Sequence, residues 1–506
     1  MGTSRKAVRH ELQPDVLVIG AGLGGLALAC RLAKNGKRVE IYEKNAFPGG
    51  RAAQKKVKGY TIDLGPTFLL MPLEFEEFFA YCGKKMENVL PISPLEPNYR
   101  LHYWDNTHFD VSSNLPSMLK EIQRVSPQDE NGFLRFLTHE QRVHDVIYPH
   151  FIAHSPRSIW DIVFSTRIFS FLRADGFHSM WEHMENFFAS AKLKLAFSFQ
   201  SMYLGQSPLL TPATYAIIPY VELAQGVWYP SNGIYEIVFQ MEKLAKELGV
   251  KIHYNADVLE IVIENNTAVG VKLQNGEIIR AETIVSNLDL PAAYSKLIPL
   301  ELRKNYSDKK LTKMEYGCSA FMLYLGIDKD YPQLLHHNVF FSEDYLKNFE
   351  ELFEQKVLPE NPSLYVNVPT RTNPKFAPRG KHLLTILAPV PTIESKNKQQ
   401  VDWESTKKEF ATNIIAQLEK KGLVDLSKHI RMMEIITPDD WEKLGGMHAG
   451  ATFGLSPTFL QSSVFRPQQK SEEFKNLFFV GAGTHPGSGM PMVLISARTC
   501  EKIIVS

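Results

Sequence analysis

The sequence predicts an α/β protein built on a parallel sheet that carries two glycine-rich loops, together with a further β-rich region. Three observations predict it. The short β-branched run Asp15 to Ile19 leads into the loop Gly20-Ala-Gly22-Leu-Gly24-Gly25 and then into a helical stretch. Near the other end of the chain, Asn476 to Val480 leads into a second glycine-rich loop and a second helix. Between them, residues 250–286 form several strand-like runs with the hairpin signal Asn275-Gly276.

Composition limits the classes of protein to which the chain can belong. Its 506 residues are enough for two to four structural units with a large core. The 56 Lys+Arg residues nearly cancel the 55 Asp+Glu residues, so charge gives no reason to expect a nucleic-acid partner. The four cysteines are far apart and form no CxxC, which argues against a disulfide framework or a zinc ribbon and fits a reducing cytosol. We expect no metal, since no zinc-binding motif of the HExxH type is present.

The N-terminal loop has the spacing of a dinucleotide-binding turn. Gly20 permits the tight turn, Gly22 lets the backbone approach a pyrophosphate, and Gly25 lets helix and strand pack closely. The helix N-terminus offers free N–H groups and the positive end of its dipole to phosphates. The next predicted strand, Lys37 to Tyr42, ends on Glu43, where a carboxylate can accept hydrogen bonds from an adenosine ribose. The same carboxylate would repel a 2′-phosphate.

The residues after Glu43 distinguish a flavin from a nicotinamide cofactor. Pro48-Gly49-Gly50-Arg51 follows closely, and then Gly59 to Thr67. Glycine pairs allow close backbone approach, and Arg51 can reach a pyrophosphate or a flavin edge. This extension resembles that of the amine-oxidase-like and carotenoid-desaturase-like flavoproteins, and the expected cofactor is FAD.

The C-terminal loop, Gly481 to Pro491, feeds a helix that starts around Met492. A helix N-terminus here is suited to the flavin C2=O and N1, where negative charge accumulates on reduction. His485 is a candidate for direct chemistry, and its alternative identity is a loop residue that hydrogen-bonds its own backbone. Met492 is equally a packing residue or a neighbour of the flavin. The backbone of the loop, rather than one side chain, is the expected contact.

Taken together, these motifs resemble the bacterial and fungal phytoene desaturases, which are carotenoid desaturases with bound FAD. Further segments carry the resemblance, among them Ala196 to Gln200, Gly226 to Pro230, Phe465 to Pro467 and Gly483 to Gly487. The family implies a Rossmann-type FAD-binding domain built from separate segments, a mixed-sheet substrate domain and a helical region that meets the membrane. We assign the FAD-binding domain to residues 13–75 plus 235–290 plus 470–506 and the substrate domain to residues 291–469. Residues 76–234 are assigned to the helical, membrane-associated region, which also contributes to substrate binding.

The predicted cofactor-binding residues are Gly20, Ala21, Gly22, Gly24, Gly25, Glu43, Lys44, Gly49, Gly50, Arg51, Gly65, Pro66, Thr67, Val258, Gly481, Gly483, Pro491, Met492 and Val493. The sequence also departs from related flavoproteins. They usually place an acidic residue in the C-terminal loop, where this chain has Gly483 and Thr484. Asn232-Gly233 stands where the family often has two glycines.

The resemblance implies that the flavin takes a hydride from a long hydrophobic polyene. A strong protein base is then less necessary, because the allylic cation left behind carries a very acidic proton. Glu222 is the candidate base, and its alternative identity is a solvated surface carboxylate. The chain length of the substrate, thirty or forty carbons, the number of double bonds, the electron acceptor and the oligomeric state stay open.

An insoluble substrate gives a purpose to the apolar region 151–199. The runs Ile159 to Phe164 and Ile168 to Leu172 are spaced by Arg157, Arg167 and Arg173, as in a helix lying in the headgroup layer. The alternative is a helix packed in the protein core. We expect peripheral, monotopic attachment to the cytoplasmic side of a membrane, and no uninterrupted apolar run is long enough to span one.

Other activities remain open on the same fold. They are a C30 dehydrosqualene-type desaturase, a terminal-methyl carotenoid oxidase, a polyene isomerase and a polyene saturase. An amine-oxidase-like enzyme would require an aromatic cage and usually a lysine near the flavin, and the sequence identifies neither. A flavin-bound protein that shuttles a lipid without turnover is the third class.

Overall fold

The computed structural model describes residues 13–153, 178–393 and 401–506. Its first sheet has five parallel strands whose order in space differs from their order in the chain. From one edge to the other they are Leu477–Phe479, Thr283–Ser286, Val16–Ile19, Val39–Tyr42 and Lys251–His253. We call this the parallel sheet. Three distant parts of the chain therefore contribute to one sheet, with both glycine-rich loops at its carboxyl edge.

A second sheet, the mixed sheet, has seven strands. In spatial order they are Ile430–Ile436, Ser319–Ile327, His382–Val390, Leu364–Asn367, His337–Phe340, Tyr99–His102 and His108–Val111. His337–Phe340 and Tyr99–His102 pair in parallel, and the other neighbours are antiparallel. Two of these strands come from region 76–234, so that region is not helical throughout and shares a sheet with residues 291–469.

Three small sheets complete the β-structure. One contains Val258–Glu264, Thr267–Leu273 and Ile278–Arg280, and the two-stranded sheets pair Gln54–Val57 with Tyr60–Asp63 and Ile92–Leu95 with Val227–Pro230. The hairpin at Asn275-Gly276 is present, and Gly276 has a φ of 86°. The last of the strand-like runs within residues 250–286 forms two strands, Ile278–Arg280 and Thr283–Ser286, because its second half leaves the hairpin to pair with Val16–Ile19.

The α-helices occur in all three described ranges of the chain. Their bounds are Leu23–Lys34, Pro72–Tyr81, Met86–Val89, Leu115–Val125, Glu130–Ile147, Met180–Glu185, Ala191–Ala196, Ile217–Gln225, Tyr235–Glu247, Leu290–Leu297, Asp308–Lys313, Tyr345–Phe349, Trp403–Lys420, Leu426–His429, Pro438–Gly445 and Met490–Val505. Over the described ranges, none of the helices is long and apolar enough to cross a membrane. The runs Ile159 to Phe164 and Ile168 to Leu172, with their three arginines, lie outside the described residues.

The core on the helical side of the parallel sheet fixes the two loops relative to each other. Helix Leu23–Lys34, which follows the first loop, packs against both Met490–Val505 and Tyr235–Glu247. Leu26, Ala497 and Met241 are fully buried in that contact region. Both glycine-rich loops consequently begin helices that lie against each other.

Candidate cofactor and substrate cavity

One cavity of about 950 Å³ extends from the loops of the parallel sheet to one face of the mixed sheet. The predicted cofactor residues that line it are Gly20, Gly22, Gly24, Glu43, Lys44, Gly49, Gly50, Arg51, Gly65, Pro66, Thr67, Val258, Gly481, Pro491 and Val493. Ala21, Gly25, Gly483 and Met492 do not line it. The structure thus brings together residues that are more than 450 positions apart in the chain.

Close packing explains the first loop. A Cβ atom on Gly25 would lie 2.2 Å from the carbonyl oxygen of Gly20, so any side chain there would push the helix off the strand. Gly20 itself has a φ of 95°, in the left-handed region that glycine tolerates. Helix Leu23–Lys34 begins at Gly22 without a side-chain cap and without an acidic residue in its first turn. Its first N–H groups therefore face the cavity ready for an anion.

Glu43 connects the loop to the second strand. Its Oε2 accepts a hydrogen bond from the Ala21 amide at 2.8 Å, and its Oε1 accepts from the Asn45 amide at 2.9 Å. The side chain is only 5 % exposed, yet it lines the cavity. Oε1 also accepts from the Asn45 side-chain amide at 2.8 Å, whereas Oε2 keeps a second lone pair, which a ribose hydroxyl can use. Glu43 therefore fixes the glycine loop as well as offering an acceptor, and Ala21 acts through this hydrogen bond rather than by lining the cavity.

Arg51 reaches the same space from the second glycine pair. Gly49 forms a parallel bridge with Gly22, and its amide donates to the Ala21 carbonyl at 2.9 Å. The guanidinium of Arg51 forms an ion pair with Asp289 through one Nη atom. Its Nε is buried and finds no hydrogen-bond partner among the described residues. An unpartnered buried donor beside a glycine loop fits a phosphate oxygen.

The C-terminal loop is held by buried groups. Arg466 is 3 % exposed and donates to the carbonyl oxygen of Ala482 at 2.9 Å and to that of Thr484 at 3.3 Å. Burial lowers the pKa of this arginine. Helix Met490–Val505 begins at Gly489 without a side-chain cap, so its N-terminus also faces the cavity with free N–H groups. This loop accordingly presents backbone rather than an acidic side chain.

Asn287 joins the two loops, and sequence reasoning did not select it as a site residue. Cβ atoms on Gly22, Gly24 and Gly481 would each lie 2.6 Å from its amide group. Its Nδ2 donates to the Val480 carbonyl at 2.9 Å. The three glycines are needed because one amide occupies the space between them. Asn287 directly follows strand Thr283–Ser286, which pairs in parallel with Val16–Ile19 and Leu477–Phe479, the two strands that lead into the glycine-rich loops. That position is the signal in the sequence that could have identified Asn287.

The two candidates for proton transfer lie elsewhere. His485 is 1 % exposed but does not line the cavity; its amide donates to Pro467, and its carbonyl accepts from Gln469. Glu222 is 0 % exposed, so its interpretation as a solvated surface carboxylate is wrong. It faces inward because helix Ile217–Gln225 turns this side toward the buried residues Tyr99 and Gln200.

Burial governs the chemistry of Glu222. Its Oε2 accepts from the Tyr99 hydroxyl at 2.8 Å and from the Gln200 amide at 3.3 Å. Burial raises the pKa of Glu222 to about 7, although these hydrogen bonds and the nearby Tyr203 hydroxyl work in the opposite direction. The Tyr203 hydroxyl has no hydrogen-bond partner within the described residues. The side chain of Tyr203 lines the cavity.

At its other end the cavity is apolar. The lining residues contributed by the mixed sheet are Ala320, Met322, Val339, Leu364, Tyr365, Leu387 and Pro389, none of which is charged. Phe68 lies 5.4 Å from Tyr203 and 5.6 Å from Tyr365 between ring centroids. This aromatic group was not identifiable from the sequence, because its members are far apart in the chain. The lysines that line the cavity are Lys44, Lys296 and Lys443, all near Glu43 or Glu442 rather than on the mixed sheet.

Comparison with known proteins agrees with this arrangement. The family model for flavin-containing amine oxidoreductases matches residues 23–500. A zeta-carotene-forming phytoene desaturase from Myxococcus xanthus is 40% identical over 96% of this chain and 92% of its own. A 4,4'-diapophytoene desaturase (4,4'-diapolycopene-forming) from Methylomonas is 36% identical over 97% of this chain and 94% of its own.

Solved structures share the fold at much lower identity. An oxidoreductase from Methanosarcina mazei superposes with a TM-score of 0.63 at 20% identity, covering 97% of this chain and 100% of that one. The resemblance predicted from the motifs is confirmed. The chain belongs to the flavin-containing amine oxidoreductase family and, within it, to the flavin-dependent carotenoid desaturases.

Proposed function

We propose that this protein uses FAD to introduce double bonds into a phytoene-like polyene. The observation that carries the proposal is the cavity that joins two uncapped helix N-termini to an uncharged face of the mixed sheet. One end suits a charged dinucleotide and the other suits a long hydrocarbon. The relative from Myxococcus xanthus, which is named as a phytoene desaturase, supports this substrate class.

The residues present fit FAD. The free N–H groups after Gly22 and the unpartnered Nε of Arg51 would hold the pyrophosphate, and Glu43 would accept from the ribose. The cluster of glycines around Asn287 leaves room for backbone approach. When bound, a flavin supplies an acceptor for a hydride from a substrate carbon.

The chain's own residues position the hydrocarbon and exclude water. Met322 and Leu387 face the cavity beside the aromatic group of Phe68, Tyr203 and Tyr365. Flat aromatic rings and aliphatic side chains can pack against a polyene, and no polar group of the protein has to lose a hydrogen bond when they do. We assign Glu222 the role of proton acceptor nearest this aromatic group. The Tyr203 hydroxyl lies near enough to lower the pKa of Glu222, and a carboxyl whose pKa is about 7 can take up and release a proton near neutral pH.

Peripheral attachment to the cytoplasmic side of a membrane forms part of the proposal, because the substrate class is insoluble in water. Phe459, Leu460 and Phe465 are exposed within seven positions, and Leu460 has 71 % of its surface exposed. Such a group can insert into the apolar layer of a lipid surface. The four cysteines are all free and buried, which supports the reducing side of that membrane.

The test is anaerobic and optical. Purified protein with FAD is mixed with phytoene-loaded liposomes, the absorption of oxidised flavin is followed, and the pigment is extracted for its spectrum. Loss of the flavin band together with stepwise longer polyene bands supports the proposal. Bleaching of the flavin only with C30 diapophytoene would indicate a C30 desaturase. Bleaching only with an already conjugated carotenoid would indicate one of the other reactions known on this fold. Bleaching only with amines would indicate an amine oxidase.

The C30 substrate is the second candidate. The relative from Methylomonas, named as a diapophytoene desaturase, favours it. Parallel titrations with C30 and C40 substrates at equal membrane loading separate the two by kcat/KM.

A further inference from the structure

A second group of possible ligands lies away from the cavity. His139 and Glu140 are neighbours on helix Glu130–Ile147, and His183 lies on helix Met180–Glu185. Their candidate donor atoms all lie within 4.8 Å of one another. Glu140 and His183 are each 1 % exposed, and none of the three lines the cofactor and substrate cavity. We call this group the His-Glu-His cluster.

Two donor atoms of the cluster are left over after the protein's own hydrogen bonds are counted. The Oε1 of Glu140 lies 2.7 Å from the Nε2 of His183. Its Oε2 and the Nε2 of His139 are buried and have no hydrogen-bond partner among the described residues. A buried carboxylate oxygen without a partner is costly, and a bound cation would remove that cost. The side chain of His139 is 32% exposed, which gives solvent ions a route to the cluster.

We propose that the His-Glu-His cluster binds Zn²⁺. Two imidazole nitrogens and one carboxylate oxygen are donors that zinc accepts, whereas Ca²⁺ and Mg²⁺ require mostly oxygen ligands. With zinc–ligand bonds of about 2.1 Å, tetrahedral donors lie about 3.4 Å apart. The present separations, 2.7 Å between Glu140 and His183 and up to 4.8 Å overall, bracket that value. Water would complete the tetrahedron.

The cluster would join two helices that are distant in the chain. Glu140 and His183 are 43 positions apart, and the rings of His139 and His183 lie 5.6 Å and 5.2 Å from the Phe187 ring. A metal bound by both helices stabilises the folded state, because the unfolded chain does not preassemble the ligands. This inference does not depend on the reaction proposed above.

The first experiment uses the tag-free, full-length protein after treatment with EDTA and desalting. It is titrated with Co²⁺ and Zn²⁺ while visible absorption, bound metal and the thermal midpoint are measured. We expect about one equivalent bound, cobalt bands of a four-coordinate N/O site, and a thermal midpoint that rises with zinc and falls again with chelator. A wild-type protein that shows neither the bands nor the rise overturns the proposal.

Variants then locate the site. Glu140→Gln and His183→Asn should each weaken cobalt binding at least tenfold, whereas the exposed His150→Gln on the following turn should bind as wild type. If the buried variants fail to fold, His139→Gln serves, since its side chain is partly exposed and its loss leaves the Glu140–His183 contact intact. Wild-type binding by a folded His139→Gln or Glu140→Gln would place the metal elsewhere and contradict the assignment.

Discussion

The hydroxyl of Tyr99 donates a hydrogen bond of 2.8 Å to Oε2 of Glu222, and solvent reaches neither side chain. The carboxyl therefore ionises in a fully buried site, next to a tyrosine whose pKa the same burial raises. The protonation of the Glu222 carboxyl is therefore sensitive to pH near neutrality.

Glu222→Gln tests this proton site. Burial raises the pKa of Glu222 to about 7 in the folded state, from an ordinary value of 4.5. The stability that the neutral carboxyl provides is therefore complete below pH 4.5 and is lost as pH rises through 7. The wild type should lose up to about 3 kcal/mol of unfolding free energy across that window. Glu222→Gln should lose much less, as should be visible in urea unfolding at pH 5 and pH 8. The exposed Glu76→Gln is the control, and an equal pH response in wild type and Glu222→Gln refutes the assignment.

Gly25→Ala tests the close packing of the first loop. Its Cβ would lie 2.2 Å from the Gly20 carbonyl oxygen, so the helix must move off the strand. We expect flavin affinity to fall at least about tenfold, measured by fluorescence titration of the free flavin. Gly36→Asn at the end of the same helix is the control, since nothing lies within 4 Å and asparagine tolerates its φ of +80°. Unchanged flavin binding by Gly25→Ala would contradict the role of this contact.

Arg51→Gln tests the contact with the cofactor phosphates. The variant removes the unpartnered donor and leaves Asp289 uncompensated, so cofactor affinity should fall by about tenfold to a hundredfold. The dependence of affinity on salt should also weaken. Arg38→Gln, which removes an ion pair with Asp15 at the surface, should change affinity little. Equal effects of the two variants would show that Arg51 acts only through folding.

Met322→Gln tests the apolar end of the cavity. Met322 is 2 % exposed and lines the cavity, and a buried amide there would lack partners and repel a hydrocarbon. We expect kcat/KM for the polyene to fall about tenfold while bound flavin keeps its spectrum. Met322→Leu preserves volume and polarity and should remain close to wild type. A loss of flavin together with activity would point to disturbed folding instead.

Phe459→Ser with Leu460→Ser tests membrane attachment. Both side chains are exposed, and the double change should reduce the fraction of protein that floats with liposomes by more than half. Leu73→Ser, on helix Pro72–Tyr81 and 63 % exposed, removes a comparable side chain elsewhere and should leave flotation unchanged. If both variants float equally, the exposed group at 459–465 is not the attachment surface.

The sequence by itself determined the glycine-loop end of the cavity. Gly20, Gly22 and Gly25 act through turn geometry and backbone approach, which depend on contiguous residues and therefore leave a readable spacing. Glu43 follows from the same local pattern, because it ends the strand that pairs with Val16–Ile19. The second loop could be predicted in the same way, because a short apolar strand precedes it and helix Met490–Val505 follows it.

Only the tertiary structure decided which distant side chains meet. Asn287 fills the space between glycines of both loops, and Phe68, Tyr203 and Tyr365 form one aromatic group from three parts of the chain. The burial of Glu222 cannot be predicted from the neighbouring sequence, because a single carboxylate in an apolar helix is as consistent with the surface as with the core. Spacing reports contacts within a few residues, whereas burial and its effect on pKa depend on packing between elements that the sequence does not place.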